Sequence, residues 1–425
     1  MPAGERFLSQ RSGKRRPLRY KYTQTIDYVH FTAFGAPRFR SDEMNGSIFP
    51  MVNRRRLLQL SAAGTALTVL QVGFGRGAFA DTGPALTWIS PRGYVETPDD
   101  FHYRIAEKLG FFGDLKVEYL AGPQDGTASV KFVDQGQAQL GAPSPGVFAL
   151  GVDHGLDIAF FFAKHPVDIF SFAFRKGQAV KDPRELAGKT VLLGSIGWKP
   201  IVDAEVAQVG VDPATVNSVE AGAGWAQALA AGNGDAALVW EGLRSQWAAQ
   251  GLDFDYLSLV KTSKFPANGE ILKKSSLADP AKRQLYADYA RGLAKGYAFA
   301  YANPRAAAAI VDEAFPSIAG KGTPEERTEY IVQLSNTTRG PYTDTKGWGY
   351  QHVPQYQEFF DIALKIGTIS KPIDASKVVL NDVVPYANEF DKAALKAQAE
   401  AYPLPDAYKA VDIAAIRARN PVAYP

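Results

Sequence analysis

The chain has no cysteine. That excludes disulfides, thiolate metal sites and a cysteine nucleophile. It also excludes a lipid-bearing cysteine behind an export signal. Histidine is scarce, with five in 425 residues. Four follow residue 80: His102, His154, His165 and His352. No two of them have a metal-ligand spacing such as H-x-x-x-H. No metal and no other cofactor is expected. A G-x-S-x-G elbow is missing, since Ser195 stands in "GSIG" with no identifiable base. "GNGDAA" is no dinucleotide fingerprint, because its glycines precede a strand rather than follow one. Nothing repeats at a fixed period. No catalytic constellation emerges, so the expectation is a protein that is not an enzyme.

A basic field is also lacking. The whole chain has 47 basic and 44 acidic side chains. Residues 1–80 hold 13 and 4 of these, which leaves 34 and 40 for the rest, a net charge of −6. The basicity therefore belongs to the first 80 residues. After residue 80, lysine and arginine do not cluster among aromatics, so no nucleic-acid partner is expected.

What is present begins at Val52 with "VNRRRLLQLSAAGTALTVLQVGFGRGAFAD". Arg54, Arg55 and Arg56 form a positive head. Leu57 to Phe74 carries no charge, and Ala78-Phe79-Ala80 fits a signal peptidase site. This is the plan of a secretory signal. Asn-Arg-Arg-x-Leu-Leu also resembles the twin-arginine export motif, and Ser61, Gly64, Thr65 and Thr68 keep the apolar part mild. Residues 51–80 are thus expected to be a twin-arginine-type signal, cleaved after Ala80, with a soluble product in the periplasm. Residues 1–50 show no sustained period. Met51 suggests that they are an upstream extension; the alternative is a long n-region. No second apolar run approaches the ~18 residues of a membrane span.

From Ala85 the chain alternates strand and helix. "ALTWIS", "LKVEYLAG" and "AQLGAPSPG" read as strands, with a helix over "DDFHYRIAEKLGFFG" that Asp99 or Asp100 would cap. "LDIAFFFAKHPVDIFSFAFRKG" reads as two buried strands around His165-Pro166. The pattern restarts after Gly177 with "KTVLLGS", "ATVNSVEAG" and "DAALVWEG" as strands between helices. From Asp279 the chain is nearly all helix, with Asp279-Pro280 and Asn303-Pro304 as helix starts. The expected fold is α/β: two units with mainly parallel sheets, and a helical tail packed back on the first.

"RIAEKLGFFGDLKVEYL", "VDQGQAQLGAPSPGVFAL", "VKDPRELAGKTVLLGSIG", "VDPATVNSVEAG", "ALAAGNGDAALVWEG" and "KIGTISKPIDASKVVLNDVVP" resemble, in that order, successive blocks of bacterial solute-binding proteins of the nitrate/sulfonate/taurine type. These belong to the thiamine-pyrimidine-synthase-like family. The resemblance implies a two-lobe type II periplasmic binding fold with two crossing strands. It also implies a role in carrying a small-molecule solute to the membrane permease of an ABC importer, as a monomer. On that reading lobe 1 spans 81–172 and 269–425, and lobe 2 spans 173–268. The crossings are expected near Ile169–Arg175 and Lys264–Ile271. The alternative within the same fold is an enzyme related to the thiamine-pyrimidine synthases, which use their own histidine and cysteine in iron-dependent chemistry. The chain departs from the family pattern at Gln139, where members usually have Asp, and in the tail after Tyr402.

Ligands of α/β lobes sit at the carboxyl ends of strands. Here those ends supply Arg92 and Tyr94, Ser144, His165, Ser195, Gly197 and Trp198, and Trp240 and Glu241, with Asn268 at the second crossing. Arg92 is either a partner for an anionic solute group or a solvated side chain. The Gly194–Gly197 turn either offers N–H groups to a solute or only makes a tight turn. His165 is either a contact or a structural histidine. Tyr94, Trp198 and Trp240 suggest a cleft for an organic solute with a planar or apolar part. Glu241 suggests a nitrogen group on it.

Overall fold

Short apolar runs closed by Gly, Pro or Asn make short strands, and ten of them carry the fold. They are β1 (Ala85–Ile89), β2 (Lys116–Leu120), β3 (Leu140–Gly141), β4 (Ile158–Ala163), β5 (Phe170–Arg175), β6 (Thr190–Leu193), β7 (Asn217–Glu220), β8 (Ala236–Trp240), β9 (Phe254–Ser258) and β10 (Gly269–Lys273). The computed structural model describes residues 84–122, 127–319 and 322–422, all within one compact unit. The expected signal and its cleavage site lie outside the described residues.

The strands form two five-stranded sheets, ordered β2-β1-β3-β10-β4 and β7-β6-β8-β5-β9. The two orders follow one plan. In each sheet the first three strands of a unit pair in parallel. The strand that arrives from the other sheet, β10 or β5, then inserts antiparallel between the third and the last. The sheets are therefore mixed, where mainly parallel ones were expected. The chain changes sheet between Ala163 and Phe170 and again between Ser258 and Gly269. The first change thus precedes the expected Ile169–Arg175, which is largely β5 itself, and precedes the expected lobe boundary at 172/173.

The two units share a local device. Gln139 N–H donates to Thr87 C=O at 2.9 Å, and its side-chain oxygen accepts from Thr87 N–H at 2.8 Å. Asp235 does the same to Thr190, at 2.9 and 2.7 Å. Each side chain precedes the third strand of its unit and pins the first. Gln139 thus makes in the first unit the side-chain hydrogen bond that Asp235 makes in the second.

Helices cover the sheets: α1 (Phe101–Lys108), α2 (Thr127–Asp134), α3 (Pro145–Asp153), α4 (Lys199–Ala207), α5 (Trp225–Ala230) and α6 (Leu243–Ala249). The tail adds α7 (Pro280–Ala302), α8 (Pro304–Ala314), α9 (Pro316–Ala319), α10 (Pro324–Thr338), α11 (Thr343–Lys346) and α12 (Val353–Lys365), with shorter helices beyond. Asp279 and Asn303 cap α7 and α8 through Ala281 N–H and Ala306 N–H, each followed by Pro at the first helical position. The tail helices complete the core of the first sheet: Tyr289, Leu293 and Phe299 pack with Trp88, Tyr103 and Leu140. The segment after Tyr402 packs there too, where Arg327 Nε donates to the Tyr408 hydroxyl at 3.0 Å and Ile416 is buried with Val332. Among the described residues no helix is long and apolar enough to cross a membrane.

Candidate functional site

The two changes of sheet bring the carboxyl ends of both strand sets face to face. Between them lies a cavity of about 70 Å³. The first unit contributes Arg92, Asp99, Ser144, Lys164 and His165. The second contributes Phe170, Trp198 and Trp240, and Asn268 and Leu334 complete the wall.

Charge in this wall is balanced within the protein. Arg92 pairs with Asp100 and stands 3.9 Å from Asp99. Lys164 Nζ donates to the other Asp100 oxygen at 2.6 Å. Asp100 and Lys164 are buried. Burial opposes ionisation of Asp100, yet the two cations hold its carboxyl below the usual range. Asp99 Oδ1 accepts from the Tyr330 hydroxyl at 2.6 Å, and Oδ2 accepts from Trp240 Nε1 at 3.1 Å. Behind Lys164 lies Glu270, fully buried, which accepts from Trp88 Nε1 at 3.0 Å, the Tyr289 hydroxyl at 3.2 Å and the Tyr103 hydroxyl. Burial pushes its carboxyl up to about 7. Burial, with the nearby Lys164 charge, keeps His165 well below the usual imidazole range, so the ring is neutral. Its Nδ1 meets Thr337 Oγ1 at 3.1 Å.

Three observations matter most here: paired mixed sheets, a cavity between strand ends, and a neutralised charge cluster lining it. The family model that matches over residues 98–307 is described as NMT1/THI5 like. Residues 98–307 are an NMT1/THI5-like domain. No curated protein sequence matches the chain. Among solved structures, the alkanesulfonate-binding protein SsuA of Xanthomonas axonopodis pv. citri, bound to MOPS, is 12% identical with a TM-score of 0.54. That match covers 71% of this chain and 100% of the other. The periplasmic aliphatic sulphonate binding protein SsuA of Escherichia coli is 13% identical, TM-score 0.51, covering 70% and 92%. The Candida albicans CA3427 product, described as having the generic periplasmic binding protein fold, is 12% identical, TM-score 0.51, covering 70% and 97%. At such identities the likeness is one of fold, and the fold here is the periplasmic binding protein fold.

Arg92 and Tyr94 precede the NMT1/THI5-like domain; the other expected site residues lie inside it. Arg92, Ser144, His165, Trp198, Trp240 and Asn268 line the cavity together. Ser144 caps α3, accepting from Val147 N–H at 3.4 Å. Asn268 donates to Ala142 C=O at 2.9 Å. Tyr94 stands outside, 43% exposed, in the wall of an adjoining chamber.

Three residues fall away from the cavity wall. Ser195 Oγ accepts from Gly197 N–H at 3.2 Å, and Glu220 accepts from Ile196 N–H at 3.2 Å. The N–H groups of that turn are therefore engaged inside the second unit. Glu241 is salt-bridged to Arg244 at 2.8 Å and lies 3.4 Å from the hydroxyls of Ser171 and Ser258. The carboxylate in the cavity is Asp99, and it belongs to the first unit. Asp99 and Asp100 do not cap α1: Thr97 caps the preceding turn, and both carboxylates turn to the charge cluster.

Proposed function

We propose that the chain is the periplasmic solute-binding component of an ABC importer, holding a small organic solute between two hinged lobes. The observation that carries this is the cavity at the meeting of both strand sets, lined from both units and bridged by Trp240 and Asp99. Crossing segments at 164–169 and 259–268 provide the hinge, as in domain closure around ligands. Its partners are then a membrane permease and the solute, and the working form is a monomer. The chain acts as a carrier rather than an enzyme; a resident iron in purified protein would argue for the thiamine-pyrimidine-synthase-like alternative.

The signal at 51–80 delivers the protein to the periplasm, with Asp81 as its first residue. N-terminal sequencing of exported protein tests this, and a start well upstream of Asp81 contradicts it. The solute-binding role is tested by a thermal-shift screen of nitrate, taurine, alkane sulfonates, aromatic acids and aminopyrimidines. A specific binder raises stability by ~2.7 kcal/mol at a hundredfold excess over its dissociation constant. No shift with any class would contradict the role.

A further inference from the structure

We propose that the solute is an uncharged ring compound, its ring held in a tryptophan chamber beside the cavity and its polar edge turned toward Arg92 and Ser144. This rests on the solute-binding reading and narrows it.

The chamber has a volume of about 360 Å³. An apolar cavity of roughly 150 Å³ already takes a benzene ring. Trp198, Trp225, Trp240 and Trp247 build one side of it, and Tyr94 closes the other. Four of the six tryptophans in the sequence therefore stand at one place. Their rings form a connected set: Trp225 stacks near Trp240 at 6.3 Å, Trp198 meets both edge-on at 5.9 and 5.7 Å, and Trp247 meets Trp225 edge-on at 5.3 Å. Trp225 is fixed by a bond from Nε1 to Leu238 C=O at 3.2 Å, and Trp240 by Asp99. Arg92, Trp198 and Trp240 line both the chamber and the inner cavity, so one solute can reach into both.

Charge decides the class. Arg92 is the one ionised side chain in the chamber wall among the described residues, and Asp100 neutralises it. Gln227, Gln246 and Gln250 supply amides instead. In the inner cavity the positive charges of Arg92 and Lys164 are matched by Asp99 and Asp100. The turn that would have offered N–H groups to an anion already holds Glu220. An anion would thus give up its water without meeting a free cation, which is costly. An uncharged acceptor fits better. Arg92 Nε is buried without a partner, and Ser144 at the start of α3 lines the same space. The guanidinium N–H and the serine hydroxyl are donors suited to a carbonyl or a ring nitrogen.

Calorimetry of the purified protein with benzamide, benzoate, acetamide and nitrate separates ring from charge. Benzamide is expected to bind tightest, with benzoate at least tenfold weaker and acetamide and nitrate weaker still. Trp225→Leu should lower benzamide affinity about tenfold and Trp225→Phe much less, as loss and retention of stacking require. Tighter binding of benzoate than of benzamide overturns the uncharged class, tighter binding of acetamide or nitrate overturns the ring, and each result leaves the carrier role intact. A sulfonate hit in the thermal-shift screen when none of the four probes binds overturns the proposal and leaves that role intact as well. No binding in either experiment overturns both.

Discussion

Trp240 Nε1 donates to Asp99 Oδ2 at 3.1 Å, and this bond joins the second sheet to the turn before α1 across the cleft. The other Asp99 oxygen accepts from Tyr330 on α10. One carboxylate thus links both units. Asp99→Ala leaves two donors unpaired, at about 1–3 kcal/mol for each one kept from water. The empty variant should open, with a larger radius of gyration by small-angle scattering than the empty wild type. An unchanged radius would contradict a latch.

Closure also depends on Gly146 in α3. A Cβ there would come 2.8 Å from Pro200 Cβ in α4, where the two units touch. Such overpacking costs about 1–3 kcal/mol. Hinge opening that parts α3 from α4 would relieve this clash, so Gly146→Ala is expected to weaken solute binding about tenfold or more and to leave the unfolding transition nearly unchanged. Calorimetry with the best binder, beside urea unfolding, checks both halves.

Asp100 binds Arg92 and Lys164 at once, and the three side chains are 2%, 12% and 4% exposed. Asp100→Asn removes the anion that Lys164 and Arg92 share and leaves Arg92 only Asp99, 3.9 Å away. Breaking a buried pair in this way costs about 3–5 kcal/mol. Lys176, exposed beside Asp253 and Asp255, is the control, since an exposed pair contributes about 0–1 kcal/mol. Urea unfolding should therefore separate Asp100→Asn from Lys176→Ala by several-fold in the free energy lost.

Glu270 sets a pH dependence. Its carboxyl is raised from 4.5 to about 7 by burial, so the folded protein keeps a proton that the unfolded chain has lost. The stability from this group is full below pH 4.5 and disappears as pH rises to about 7, up to about 3 kcal/mol in all. Glu205 has the same sign: burial, and then Asp168 beside it, push its carboxyl well above the usual range. Buried His102 and His165, both held well below the usual imidazole range, act with the opposite sign, since the unfolded chain protonates them as pH falls. The carboxyls are therefore read by difference: between pH 5 and 8 the melting temperature of Glu270→Gln should rise more, or fall less, than that of the wild type, and Glu270→Gln with Glu205→Gln should widen that difference. A slope unaffected by both would contradict the assignment.

The strand-end rule brought five cavity residues out of the sequence because β1, β3, β4, β6 and β8 are short runs with clear ends, and the second crossing added Asn268. It erred at Glu241 because neighbours in extended chain face opposite ways: with Trp240 turned to the cleft, Glu241 turns into the second unit. Asp99 and Asp100 were hidden by position, since an acid before a helix reads as a cap. Tyr330 and Leu334 had no local signal at all; α10 meets the cleft only through tertiary packing. β9 escaped notice because Asp253 and Asp255 interrupt its apolar pattern, as befits an edge strand beside solvent. The mixed character of the sheets depends on β5 and β10 crossing between them, which no local run of residues encodes.

The most direct measurement is a crystal structure of the protein with the tightest binder from the screen. The account predicts that solute with its polar edge in the inner cavity, against Arg92 and Ser144, and its body against Trp198 and Trp240, with both units closed on it. Density for the solute between Glu96 and Arg327 instead, with the inner cavity unchanged, would contradict it.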